Sequence, residues 1–294
     1  MALEKWLIHP GETRVIDVEG VLSLKIGLVG GQIDVIAHDE PDVRVEVHGV
    51  TVKDLRIEVS GGRLEIDHPQ LRWDNFLEVF RNFGSSGPRA EISVAAPRDV
   101  ALTLGVVSAG ALVAGLARDA TINTVSGDVL VDGHVGDLRV NAVSGDVQVR
   151  GLVGALAANT VSGDITASGE LTKADVDSVS GATFIDAEGP VSSISLNGVS
   201  GAATFRLDAG YPANYVLRTA GGKIVVDGVS RGSGGPANYT GSAGELAGAF
   251  ADLRANTVAG DITVLRREPA RPAAHADEAE RPAAPSGDDL GGDR

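Results

Sequence analysis

Three aspartates recur at a fixed interval. Asp128, Asp146 and Asp164 each follow a serine and a glycine, eighteen residues after the previous copy. In a stack of coils they would line one edge about 4.8 Å apart, where like charges repel unless a cation bridges them or hydrogen bonds absorb them. Calcium is the cation such a column would take, because nonapeptide calcium solenoids share this coil length. Those repeats carry Gly and Asp at both bends, whereas here one bend is acidic and the following copies hold Ala182 and Ala202. Turn hydrogen bonding is therefore the expected role, and no cofactor is assigned. A second constellation, Asp132, Arg150 and Asp186, shares the phase six residues after the repeat serine. Converging carboxylates on one face would suit a carbohydrate-active β-helix enzyme, but alternating charge of this kind ordinarily marks a solvated face. The expected protein is not an enzyme.

Other chemistries find less support. The chain has no cysteine, which removes disulfides, thiolate metal sites and a Cys nucleophile. His9, His38, His48, His68, His134 and His275 form no pair at metal-ligand spacing and read as scattered surface or strand residues. No Ser-His-Asp set, phosphate loop or dinucleotide fingerprint is present. A net charge of −15 opposes sequence-independent binding to nucleic acid or to anionic membranes. The start, Met1 to Pro10, lacks the apolar core of a signal peptide, and no window approaches the roughly 18 apolar residues of a membrane span. The expected location is cytoplasmic, with a surface location requiring non-standard export.

The elements that would position these residues follow from the repeat. Thr124-Val125-Ser126-Gly127-Asp128 returns at 142–146 and 160–164, and as Ser178-Val179-Ser180-Gly181-Ala182, always after eighteen residues. Val107-Ser108 precedes it by one period, Val199-Ser200-Gly201 follows after twenty, and Thr257-Val258-Ala259-Gly260-Asp261 closes the series. Such a period signals a solenoid. In one coil the apolar residues are Leu138, Val140, Val143, Val147, Val149 and Val153. Steps of two are strand alternation, so these side chains are expected to point inward. The three-residue step from Val140 to Val143 places a bend at Asn141, with Asn123 and Asn159 in phase. Asparagine tolerates the left-handed conformation, and stacked coils would align these amides as a ladder continued by Asp177 and Asn197. Ser126-Gly127, Ser144-Gly145, Ser162-Gly163 and Ser180-Gly181 form the second bend, with glycine supplying positive φ. Gly133, Gly151 and Gly169 mark the third. The fold expected is all-β, a right-handed parallel β-solenoid (β-helix) with coils of about 18 residues.

Four segments emerge. Residues 1–68 alternate without the period and read as irregular N-terminal coils or a cap. Residues 69–90 hold an insertion in which Trp73, Phe76, Leu77, Phe80 and Phe83 fall on one stripe of a short helix. That stripe either packs on the solenoid or docks a partner or membrane surface. Residues 91–266 are the regular solenoid, loosening after Gly210. Residues 267–294, acidic and rich in Pro and Ala, are expected to be disordered.

The Val-Ser-Gly-Asp repeats and the alternating strands before them resemble the bacterial putative-adhesin family, β-strand-repeat domains of unknown function. The resemblance covers roughly residues 15–265 and rests on Ser-Gly-Asp at 126–128, 144–146 and 162–164. It implies an exported surface protein and brings no catalytic residues. The function expected is non-enzymatic: a binding or scaffold protein presenting a rigid face to a protein, glycan or envelope partner. A self-assembling, bactofilin-like scaffold is the alternative.

Overall fold

The computed structural model describes residues 4–69 and 87–267, and every regular element within them is a β-strand. The first eight are β1 (Glu4–Ile8), β2 (Arg14–Glu19), β3 (Ser23–Leu28), β4 (Gly30–His38), β5 (Asp42–Thr51), β6 (Leu55–Ser60), β7 (Arg63–Asp67) and β8 (Arg89–Pro97). Next come β9 (Ala101–Val106), β10 (Gly110–Ala114), β11 (Ala120–Thr124), β12 (Val129–Asp132), β13 (Leu138–Ala142), β14 (Val147–Ser162), β15 (Ile165–Ser180) and β16 (Thr183–Ala187). The last are β17 (Ser193–Ser200), β18 (Ala203–Asp208), β19 (Ala213–Thr219), β20 (Ile224–Val226), β21 (Val229–Gly232), β22 (Ala237–Ala243), β23 (Ala251–Ala259) and β24 (Ile262–Arg267). Among the described residues no helix is long and apolar enough to cross a membrane. The helix expected over 72–83 lies outside the described residues, as does the tail from 268 onward.

The strands build two ladders. One runs β1, β6, β7, β3, β9, β11, β13, the second halves of β14 and β15, then β17, β23, β19 and β22. The other runs β2, β5, β8, β4, β10, β12, the first halves of β14 and β15, then β16, β18, β24, β20 and β21. Because β14 and β15 pass from one ladder to the other, the two are faces of a single coiled sheet. The central pairings are parallel and join residues eighteen apart, as Val129 to Val147 and Val147 to Ile165. Antiparallel strands finish both ends: β1, β6 and β7 with β2, β5 and β8 at one, β22 and β21 at the other. Between the faces lies a column of buried side chains, for example Leu104, Ile122, Val140, Ala158, Val176, Leu196, Ala255 and Leu217.

Two coils lie out of chain order. The coil of β3 and β4 sits between that of β7 and β8 and that of β9 and β10. Its period is invisible in the sequence because Leu24 pairs with Leu64 on one side and Leu102 on the other. Likewise β23 and β24 insert between the coil of β17 and β18 and that of β19 and β20.

The inward pattern differs from the expected one at the bends. Alternation runs unbroken through Leu138, Val140 and Ala142, so Ala142 is buried and Val143 faces out. Asn123 and Asn141 lie inside β11 and β13 without positive φ, and the chain turns after Ala142 instead. At the third bend Leu152 is buried and Val153 exposed, the reverse of expectation. His68 and His134 are fully buried and lie outside the strands, against the reading of the histidines as scattered surface or strand residues.

Candidate functional site

The asparagine, serine and aspartate columns of the repeat are bonded within the stack. The Asn141 amide donates to Asn123 Oδ1 at 2.8 Å and Asn159 to Asn141 Oδ1 at 2.9 Å. Asn197 donates to Asp177 Oδ1 at 3.0 Å, and Asn256, from the inserted coil, to Asn197 Oδ1 at 3.2 Å. Asn256 was not legible as a member, because its neighbour is remote in sequence. The serines donate to the valine carbonyl of the preceding coil: Ser126 to Val107, Ser144 to Val125, Ser162 to Val143 and Ser180 to Val161, at 3.1–3.2 Å. Each aspartate accepts the backbone N–H of the next coil: Asp128 from Asp146, Asp146 from Asp164 and Asp164 from Ala182, at 3.0, 2.9 and 2.7 Å. The carboxylates considered for calcium thus serve the backbone, which offsets their mutual repulsion.

The glycines of this bend exist chiefly for close approach. A Cβ on Gly145 would lie 2.1 Å from Gly127 O, and Gly163 and Gly181 face the same obstacle one and two coils on. Gly127 and Gly145 do not have positive φ, contrary to expectation, whereas Gly163 and Gly181 do. The bend needs glycine wherever two coils touch through their backbones.

With the polar groups consumed, one column is left unpartnered on the surface. Val143, Val161, Val179, Val199 and Val258 precede the bend in five successive coils and are 40–55% exposed. Beside them runs a shallow groove of about 360 Å³, lined by the Asn141, Asn159, Asp177 and Asn197 ladder, the residues behind it and Val161, Val179 and Val199. Such a strip sets apolar side chains at a regular step beside an ordered amide ladder. Alternation counted from Leu138 to Ala142 carries the signal for it, since it turns the next valine outward.

The remaining candidates are distributed differently. Asp132 and Arg150 are neighbours in the ladder, and Asp186 lies beyond them, paired with Ser168 and Arg206. Asp186 is buried and held by both Arg206 and Arg267. Burial pushes its pKa up, but the Arg206 hydrogen bond and the charges of Arg267 and Arg206 outweigh this, and the net shift is downward. Arg267 also binds Asp208 at 3.0 Å. A carboxylate gripped by two guanidiniums stays ionised and has no proton to donate, so it serves poorly as a general acid. Trp73, Phe76, Leu77, Phe80 and Phe83 fall outside the described residues.

The family model described as Toastrack DUF4097 matches residues 21–274. No curated protein matches the chain. Three solved structures are similar over most of their length. A putative cell adhesion protein from Clostridium sporogenes is 14% identical, with 88% of this chain and 100% of that one covered and a TM-score of 0.29. A putative adhesin from Bacteroides fragilis is 13% identical, covering 87% and 98%, with a TM-score of 0.43. A putative lipid binding protein from Parabacteroides distasonis is 15% identical, covering 87% and 95%, also at 0.43.

Proposed function

Since the chain belongs to the Toastrack DUF4097 family, we propose that it is a non-enzymatic binding protein whose rigid coil stack presents the valine edge to a partner protein. The observation that carries this reading is the strip of five exposed valines beside an ordered amide ladder. Apolar side chains at a regular step favour an apolar protein segment over a glycan, which would call for aromatic platforms and free hydrogen-bonding groups. The amides here are already engaged with one another.

The test compares capture of a partner from native lysate by the wild type, by Val161→Asp plus Val179→Asp, and by Val15→Asp. Val15 is exposed on β2, remote from the strip along the stack, and serves as control. Partner recovered by the wild type and the control but lost with the double variant is the expected result. Equal recovery by all three would remove the valine edge from the function.

A second reading has its own observation. Among the described residues β1 and β2 at one end, and β21 and β22 at the other, each pair on one side only. Open edges permit end-to-end addition of copies, as in a self-assembling scaffold. Sedimentation at rising concentration, with and without residues 268–294, separates the readings. A truncated protein that stays monomeric throughout would exclude the polymer.

A further inference from the structure

The two ends of the stack finish their open edges differently. Among the described residues β22 pairs with β19 alone and β21 with β20 alone, so both strands turn backbone N–H and C=O groups toward an open side. Open edges are ordinarily blunted by charge, proline or a bulge. At the other end β1 carries Glu4 and Lys5, and β2 carries Arg14, Asp17 and Glu19. By contrast β22, Ala-Asn-Tyr-Thr-Gly-Ser-Ala, has no charge and no proline and keeps an unbroken register on β19. The one charge of β21, Arg231, lies over the Tyr239 ring, 5.3 Å from its centroid.

The order of residues in β22 points to its partner. Tyr215 and Leu217, opposite Gly241 and Tyr239, are buried, so Ala237, Tyr239, Gly241 and Ala243 look toward the core while Asn238, Thr240 and Ser242 face out. An antiparallel copy of the strand centred on Thr240 sets Ala237 opposite Ala243, Asn238 opposite Ser242, Tyr239 opposite Gly241, and Thr240 opposite itself. Inward residues meet inward ones, threonine pairs with threonine, and the bulkiest side chain faces a residue that has none. The Tyr239 ring already lies over Gly241 of its own strand, where a Cβ would strike the ring and its hydroxyl. Ala237, Tyr239 and Ala243 pack on the core but are only partly covered, so a strand laid beside them removes apolar surface from water. The same two-fold axis turns β21 toward its own copy on the other face. A head-to-tail joint would instead bring the charged β1 or β2 against the uncharged β22.

We infer that β22 is a dimer edge: two copies of this chain join through antiparallel β22 strands about a two-fold axis at Thr240, and assembly stops at two because the charged edges at the opposite end do not add. This rests on the open edges of the self-assembly reading above and replaces its polymer by a closed pair.

Sedimentation equilibrium of the full chain should show monomer and dimer and nothing larger. Thr240→Lys, which sets two like charges face to face, should weaken the dimer at least about fivefold. Because the chain has no cysteine, disulfide formation can read the register. Oxidised Thr240→Cys should give a covalent dimer, since directly opposed residues lie about 5 Å apart. Asn238→Cys alone should not, its two copies being roughly 14 Å apart, yet mixed with Ser242→Cys it should cross-link. All three sites are exposed, so each variant should melt as the wild type does. Species that grow beyond two copies would overturn the closed pair and leave the polymer standing. A full chain that is monomeric at every concentration would remove both. A dimer indifferent to Thr240→Lys, or cross-linked as well by Asn238→Cys alone, would overturn the β22 joint.

Discussion

At the scale of single residues, the stack tolerates a side chain according to what the coil above and below present to it. His134 shows the cost of a misfit. It occupies the third-bend position that Leu116 and Leu152 fill in the adjacent coils, and its imidazole nitrogens are buried without a well-formed hydrogen bond, the Asp137 backbone lying near but poorly aligned. Burial lowers its pKa, opposed by the backbone of Asp137 and the charge of Asp119; His68 is lowered for the same reason, opposed by the backbone of Asp54. A histidine whose folded pKa is depressed binds its proton more readily in the unfolded chain. Stability is therefore full above the ordinary imidazole pKa of about 6.5 and falls as pH drops below it toward the folded value. His134→Leu should raise stability by about 1–3 kcal/mol at neutral pH, since an unsatisfied buried polar group is replaced by an apolar one that completes the leucine column. It should also flatten the loss of stability below pH 6.5, leaving the part due to His68. Chemical denaturation across the pH range checks both, and an unchanged acid slope would show that His134 is not the group responsible.

At the scale of elements, legibility in the sequence depended on whether neighbours in space are also neighbours in the chain. The coils between Gly110 and Ser200 announce themselves because each pairs with the next after eighteen or twenty residues. A bend placed at Asn141, one step early, turns Val143 inward and hides the exposed strip, whereas the chain turns after Ala142. The inserted coils at the two ends escape a periodic reading altogether. A strand such as β23 takes its partners from β17 and β19, and no local pattern records that. Its position makes it a wedge holding the terminal coil. Ile262 pairs with both Ala203 and Ile224, and Arg267 reaches Asp186 and Asp208 on the coils behind. A chain ending at residue 250 would lose both strands and leave four others, β17, β18, β19 and β20, without a parallel partner on one side. Such a chain should be insoluble or should lose cooperative melting, whereas one ending at Arg267 should keep both. Equal melting temperatures for the two truncations would show that the wedge contributes nothing.

At the scale of the whole molecule, a stack whose coils meet chiefly their neighbours gains stability by nearest-neighbour terms, and its middle is modular while its ends are not. Removing residues 147–164 deletes one full period, joins Asp146 to Ile165 and brings Val129 opposite Ile165 in the place of Val147. Asn141 then faces Asp177, the aspartate column keeps Asp128 and Asp146, and Ala182 N–H finds Asp146 in place of Asp164. The shortened protein should fold and melt cooperatively, a few kcal/mol less stable at most, as expected for the loss of one interior repeat. Deleting only residues 147–155 joins the same bend to Leu156, so one face is skipped and every later coil is out of phase; that chain should not fold. The comparison also bears on binding. The full-period deletion shortens the free strip from five valines to four by removing Val161, so a partner lying along the edge should bind more weakly to an otherwise intact stack. A partner held at one end of the molecule would not register the change. Circular dichroism melts of the two deletions and partner capture by the first therefore test the modular middle and the use of its edge in the same proteins.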